Sequence, residues 1–475
     1  MTTGILSYGA YIPYFRLPRG AIAAALGTPP FGGERAVASY DEDATSMGVE
    51  AARIAMRGLP DGPAPELVLF ATADPPYLDK TNATAIHAAL DLDTSVAAYD
   101  MVGSVRSGVG VMRAGLTSGV PALVVRADVR TGLAGGADER DGGDAAAAFV
   151  MGRDEHGPVL AEHLGTASAT GEFLDRWRIP GEPGSHVWEE RFGEHAYVPL
   201  AEQAFADAMK NAGVTPDAVD HLVVAGLQTR AVRRVAKGLG TRPEALVDDL
   251  SATVGNTGTA HSGVLLASVL DRAEPDRLIA VVVLADGADV VLFRTSDALS
   301  THRASPTVAE QIESGRDDLA YDTYLTWRGH LHREPPRRPD PIPPAAPPAL
   351  RTEGWKFAFV GSKCRVCGTR NLPPARVCVS CHTADQMDKE TLADVPGTIA
   401  TYTVDRLAPS LNPPVVVGVI DFDGGGRYQC ELTDVDPGTV AIGNRVEMTF
   451  RRIMTAAGVH NYFWKARPGR AATGE

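Results

Sequence analysis

Two C-x-x-C pairs, Cys364/Cys367 and Cys378/Cys381, stand ten residues apart in the last quarter of the chain. Four thiolates from two knuckles suit tetrahedral zinc, and four protein ligands leave no open coordination position, so the predicted metal is structural. His382 adjoins the last cysteine but is not needed as a ligand. Cys430 falls on a predicted strand and reads as a small buried hydrophobe. No cysteine precedes Cys364, so the first three-quarters of the chain holds no thiol nucleophile.

The elements around these residues set the frame. At 475 residues, the chain is too long for one ordinary core. Its net charge of −14 opposes nucleic-acid binding and attraction to an anionic membrane, while allowing a local basic pocket. No run of eighteen apolar residues and no basic-then-apolar leader is seen. A cytoplasmic protein is therefore expected, with metal-binding rather than disulfide-bonded cysteines.

Residues 1 to about 300 alternate strand candidates (GILSYGAYIP, ELVLFATAD, PALVVRADV, DHLVVAGLQ, RLIAVVVLAD, ADVVLFRT) with Ala-rich amphipathic helices. Apolar strands separated by helices predict a layered α/β fold. From about residue 195 the helix–strand order repeats, a weak internal duplication. DLAYDTYLTWRGHL reads as a helix, and the proline-rich stretch 331–354 as an extended, semi-rigid linker. The cysteine segment then spans 355–385. Five short strand candidates at 386–475 predict a small all-β barrel of OB type.

Both parts resemble known families. ERAVASYDEDATSMGVEAAR, PPYLDKTNAT, VGNTGTAHSGVLLASVLD and YLTWRG resemble segments of the hydroxymethylglutaryl-CoA synthase branch of the thiolase superfamily, close to ketoacyl synthase III. KCRVCG, PPARVCVSC, GTIATYTV and the FRR near the end resemble the zinc-ribbon/OB-fold acyl-CoA-binding domain that accompanies such enzymes. The resemblance implies a five-layered α/β/α/β/α thiolase-like domain over 1–330, a homodimer, and a coenzyme A thioester as substrate or ligand.

The resemblance also implies three catalytic residues: an acylated cysteine, a histidine and a glutamate. Placed by their neighbours, these positions hold Val105, five after Asp100, Ala73 in FATADPPY, and a residue at or next to Ala225. A valine cannot carry an acyl group, which argues against acyl-cysteine chemistry. The Gly255–Asn256–Thr257 loop is retained.

Candidate chemistry then falls to the neighbours of the altered positions. Ser104 and Ser107 flank the vacant nucleophile position at a predicted helix start, where backbone N–H groups favour an oxyanion. His261, beside Asn256, is the candidate base for a serine. Asp74 and Tyr77 are candidate acid/base groups. Arg106, Arg230, Arg233 and Arg234 could grip CoA phosphates. The serines equally suit helix capping, His261 an interior packing role, Asp74 a turn, and the arginines a solvated face.

The expected function is an acyl-CoA-dependent enzyme that forms or cleaves C–C bonds, or transfers an acyl group, without an acyl-cysteine. The alternative is a non-catalytic acyl-CoA-binding scaffold for a separate thiolase partner.

Overall fold

The computed structural model describes residues 1–59, 62–339 and 341–470. Linker residue 340 and barrel residues 471–475 lie outside them.

The first half of the N-terminal domain begins with β1 (Thr3–Tyr11), β2 (Phe15–Pro18), α1 (Arg19–Leu26), β3 (Glu34–Val37) and α2 (Ala44–Arg57). It continues through β4 (Leu67–Thr72), α3 (Ala83–Ala89), β5 (Ala97–Val102), α4 (Ser107–Thr117), β6 (Ala122–Asp128), α5 (Ala137–Asp141) and β7 (Ala145–Arg153). The second half contains β8 (Ala161–Thr170), the hairpin β9 (Arg176–Trp177) and β10 (His186–Val187), α6 (Glu190–Ala212), β11 (His221–Gly226) and α7 (Thr229–Gly238). It closes with α8 (His261–Leu270), β12 (Leu278–Leu284) and β13 (Gly287–Thr295).

The two halves repeat one topology. In the first, β4 runs parallel to β6, then β6, β7 and β1 pair antiparallel. In the second, β11 runs parallel to β12, then β12, β13 and β8 pair antiparallel. The repeat therefore starts at β8, earlier than the expected residue 195. A short seam, Gly4↔Glu162 and Ile5↔Ala161, joins both into one nine-stranded sheet.

Helices α4 and α8 lie between the half-sheets, α2 and α3 cover the first, and α6 and α7 cover the second. This is the expected five-layered arrangement. Covered on both faces, β6 and β12 are buried throughout, which is why they read as continuous apolar runs. β7 (AAAAFVMGR) is equally buried but escaped the strand reading. Alanine has weak strand preference, yet its small side chain suits a strand packed by α2 on one face and α8 on the other.

After β13 come α9 (Val308–Glu313), α10 (Tyr321–Trp327), α11 (Ala346–Arg351) and α12 (Glu353–Ala358). Helix α11 corrects the extended-linker reading. Its prolines occupy the first turn, where no N–H is required and the fixed φ is already helical. The ribbon consists of β14 (Val360–Cys364), β15 (Arg370–Asn371) and β16 (Met387–Thr391). The closed barrel is built from β17 (Gly397–Asp405), β18 (Val415–Phe422), β19 (Arg427–Leu432), β20 (Arg445–Ala456) and β21 (Val459–Pro468), in the order β17-β18-β19-β21-β20. Burial along β18 alternates with period two, although its less buried face also carries valines.

The barrel docks on α2 through buried charge. Arg467 pairs with Glu50 at 2.9 Å, and Lys465 with Asp41 at 2.9 Å. Arg451, fully buried, meets Glu42 and Asp434. Tyr462 donates to Asp43 at 2.7 Å, and Arg53 donates to Met448 O at 2.9 Å. Asp43 also caps α2, accepting from Ser46 N in a capping box. The acidic stretch DEDATSMGVEAAR is thus both a helix start and a domain interface.

Candidate functional site: an arginine-lined cleft

A cleft of about 620 Å³ opens in the N-terminal domain. Its walls are the 130–142 segment including α5, the β9–β10 hairpin, the end of β11 with the start of α7, and the turn leading into α8. Six arginines (Arg19, Arg130, Arg140, Arg176, Arg230, Arg233) and three aspartates (Asp138, Asp141, Asp249) line it. An excess of cationic side chains in a chain of net charge −14 focuses a field that attracts an anion.

The turn before α8 is held from all sides. Asn256 donates from Nδ2 to Gly226 O at 2.8 Å and accepts at Oδ1 from Gly258 N at 3.0 Å. Its backbone N–H donates to Asp141 O at 2.8 Å. Gly255 has φ +86°, and a Cβ there would lie 2.3 Å from Gly142 O, so this position needs glycine. Buried Asp128 binds the turn to β4, accepting from Thr259 N at one oxygen and from Ala73 N and Thr72 Oγ1 at the other.

His261, at the first position of α8, also lines the cleft. Burial pushes its imidazole down to about 4, with Asp249 partly opposing the shift. Thr257 N–H points at Nδ1 at 3.3 Å, which assigns the proton to Nε2. At neutral pH His261 is thus an uncharged donor, a poor match for the base role expected from the sequence.

The other expected residues are dispersed. Ser104 Oγ donates to Asp286 at 3.4 Å and accepts from Arg106 N, with no hydrogen bond to His261. Ser107 begins α4. Asp74 pairs with Arg178 at 3.2 Å, and burial raises its carboxyl above the ordinary range against the pull of Arg178. Tyr77 faces the barrel, where its hydroxyl accepts from His460 N at 2.7 Å. Arg106 turns inward to Asp289, Asp286 O and Thr170. Arg230 and Arg233 line the cleft, Arg230 half-exposed with Glu194 at 3.5 Å, whereas Arg234 lies outside its wall. The structure therefore brings together Asn256, His261, Arg230 and Arg233, along with Ala225.

Several residues of the site escaped the sequence reading. Arg130 and Arg176 both reach Asp138. Arg178 also bonds Ala73 O, across the position expected for the glutamate. The Arg140 guanidinium lies 4.9 Å from the centre of the Phe31 ring, forming a flat cationic–aromatic face at the cleft wall. Only Arg130, Asp138 and Arg140 fall in a sequence signal, the charge-rich stretch 126–141.

In the ribbon, the four sulfurs of Cys364, Cys367, Cys378 and Cys381 lie within 4.8 Å of one another. Zn–S bonds of about 2.3 Å in a tetrahedron require sulfurs roughly 3.8 Å apart, so this set fits zinc. Thr369 beside Cys367 lowers its thiol to about 6, toward the thiolate that a metal takes.

This layered fold and cleft define a thiolase-like condensing-enzyme scaffold followed by an OB barrel. The chain belongs to the hydroxymethylglutaryl-CoA synthase family. It is 31% identical to the hydroxymethylglutaryl-CoA synthase of Aeropyrum pernix over 345 residues, 70% of this chain and 95% of the relative. It is 30% identical to that of Methanopyrus kandleri over 349 residues, 69% of this chain and 97% of the relative. A crystal structure of a hydroxymethylglutaryl-CoA synthase complexed with CoA matches with TM-score 0.59 and 17% identity, over 69% of this chain and 90% of that one. Residues 209–291 match the 3-oxoacyl-[acyl-carrier-protein] synthase III C-terminal family, and residues 390–451 the ChsH2 C-terminal OB-fold family. No described helix is long and apolar enough to cross a membrane.

Proposed function

We propose that the cleft binds an acyl-CoA thioester and forms or cleaves a C–C bond on it without an acyl-cysteine. The observation that carries this reading is the pairing of the clamped Asn256 amide with the neutral, Nε2-protonated His261 in one arginine-lined cleft. Two such donors stabilise a thioester oxygen as it becomes an enolate. That charge develops when a proton leaves the α-carbon, and again when a retro-aldol cleavage leaves the electron pair there. Asp74 does not line the cleft; it lies on the loop that Asp128 ties to the α8 turn, paired with Arg178, and its raised carboxyl is the candidate proton acceptor. The arginine excess suits the CoA phosphates, and the related synthase was crystallised with CoA. Direct acyl transfer from CoA would use the same two donors.

A second reading keeps the binding and drops the chemistry. Ala73, Val105 and Ala225 favour it, since none can accept an acyl group or a proton. The chain would then be an acyl-CoA-binding scaffold for a separate thiolase. In either case we assign zinc to the four cysteines, and a homodimer to the sheet edge at β5, where Tyr99, Met101 and Val102 are exposed.

Purified protein incubated with a panel of acyl-CoAs and acceptors, followed by mass spectrometry of all CoA species, separates the readings. Turnover by the protein alone supports the enzyme. Binding without turnover, with turnover only after a thiolase is added, supports the scaffold.

A further inference from the structure

The loop 73–82 begins at Ala73, the position expected for the family glutamate, and its middle reaches the barrel. Its two ends are anchored within the N-terminal domain. At one end Ala73 N–H goes to Asp128 and Asp74 N–H to Thr72 Oγ1 at 3.0 Å. At the other, Asn82 clasps Tyr77 through Tyr77 N–H and Tyr77 O, and Asp100 accepts from Asn82 and Ala83. Between them stand Pro75 and Pro76, which have no N–H to offer and a fixed φ. Such a segment moves as a stiff lever, so whatever holds its middle sets where Asp74 sits.

That middle is gripped by the β20–β21 hairpin. His460 N–H donates to Tyr77 Oη at 2.7 Å, the two rings pack tilted at 43° with centres 4.7 Å apart, and His460 Nε2 lies 3.3 Å from Pro76 O. A carbonyl only accepts, so Nε2 carries the proton. Thr455 Oγ1 then donates to Nδ1 at 2.8 Å, which fixes the ring. Among the described residues, Pro76 O has no other recorded partner.

We propose that His460 is a positioning residue of the barrel, holding Pro76 and Tyr77 so that Asp74 is presented to Arg178 and Ala73 to Asp128. The barrel thereby completes a loop next to the cleft. The effect on loop order is independent of what the cleft binds; only an effect on turnover rests on the function proposed above.

The test is hydrogen–deuterium exchange of the full chain, following peptides over 73–82, over the 255–260 turn that Asp128 ties to Ala73, and over α2. His460→Ala is expected to speed exchange in 73–82 by at least tenfold and in 255–260 by a smaller factor, with α2 unchanged because the ionic latch still docks the barrel. His460→Gln, whose amide can donate to Pro76 O, restores protection. Tyr77→Phe, which removes the acceptor of the backbone bond, gives part of the effect. Unchanged exchange in 73–82 overturns the proposal, and so does a rise spread equally over α2, which would mean undocking. Absence of turnover in every variant and in the parent protein counts against the catalytic reading and leaves the exchange result intact.

Discussion

Arg467 and Glu50, more than four hundred residues apart, form a buried ion pair of 2.9 Å between barrel and N-terminal domain. The Glu50 carboxyl is held low at about 2, because Arg53 and Arg467 outweigh the cost of its burial. Arg451 sits in the same interface, its charge shared among Glu42, Asp434 and Asp41. Removing one member of such a group leaves the others buried and under-compensated, a cost of about 3–5 kcal/mol. Arg451→Met is expected to lower the unfolding free energy, read from urea denaturation, by that amount. Arg452→Met, which removes a partly exposed guanidinium with Asp43 at 3.7 Å, is expected to cost less than about 1 kcal/mol. Equal losses in the two variants would mean that the buried cluster does not hold the domains together.

At the cleft, Asn256→Ala and His261→Ala each remove one of the two donors proposed for the thioester oxygen. Loss of a single such donor lowers turnover roughly 100- to 1,000-fold. Affinity for CoA, measured by calorimetry, is expected to stay within a few-fold. Full turnover in both variants would remove these residues from the mechanism.

His261 also predicts a pH limb. Its folded pKa of about 4 lies below the unfolded 6.5, so the neutral form is favoured in the fold. Its stabilising contribution is complete above 6.5 and is lost as pH falls from 6.5 through about 4, on the order of 3 kcal/mol in all. Asp271, raised to about 6 by burial, acts with the opposite sign over part of that range. The comparison is therefore with His261→Gln: denaturant midpoints of the parent and variant should converge as pH drops from 7 to 4. Parallel curves would contradict the assignment.

The charge of the cleft makes a salt-dependent prediction. Double replacement of Arg230 and Arg233 by glutamate is expected to weaken CoA binding at least tenfold, about 1.4 kcal/mol, and more strongly at low ionic strength. An unchanged affinity would place the ligand elsewhere.

One zinc per chain is expected by elemental analysis. Chelation, or Cys364→Ser, should remove it and loosen residues 360–391 while the nine-stranded sheet keeps its hydrogen-exchange protection. A metal-free protein with an equally protected ribbon would show that packing alone holds the knuckles.

What the sequence disclosed follows physical lines. β12 was legible because a continuous apolar run reports burial directly, and the barrel strands because turn-rich stretches such as DFDGGG separate them. β7 was not, because Ala145–Ala148 match no strand template until two helices are known to press on them. Asn256 and His261 were legible as neighbours on one turn. Arg106 was misjudged because its partner Asp289 is 183 residues distant, and Tyr77 because its partner lies in another domain. Arg130, Arg176 and Arg178 went unseen, since only folding brings their segments to one wall.

The docking of the barrel on α2 also has a consequence in time. Strands β20 and β21 leave the ribosome about 400 residues after α2, which at roughly 5–20 residues per second is on the order of half a minute. For that interval Glu42 lacks Arg451, Glu50 lacks Arg467 and Arg53 lacks the Met448 carbonyl, and the apolar face beside them is uncovered. A nascent chain halted before Arg445 would therefore display a sticky, acidic surface that the finished protein hides.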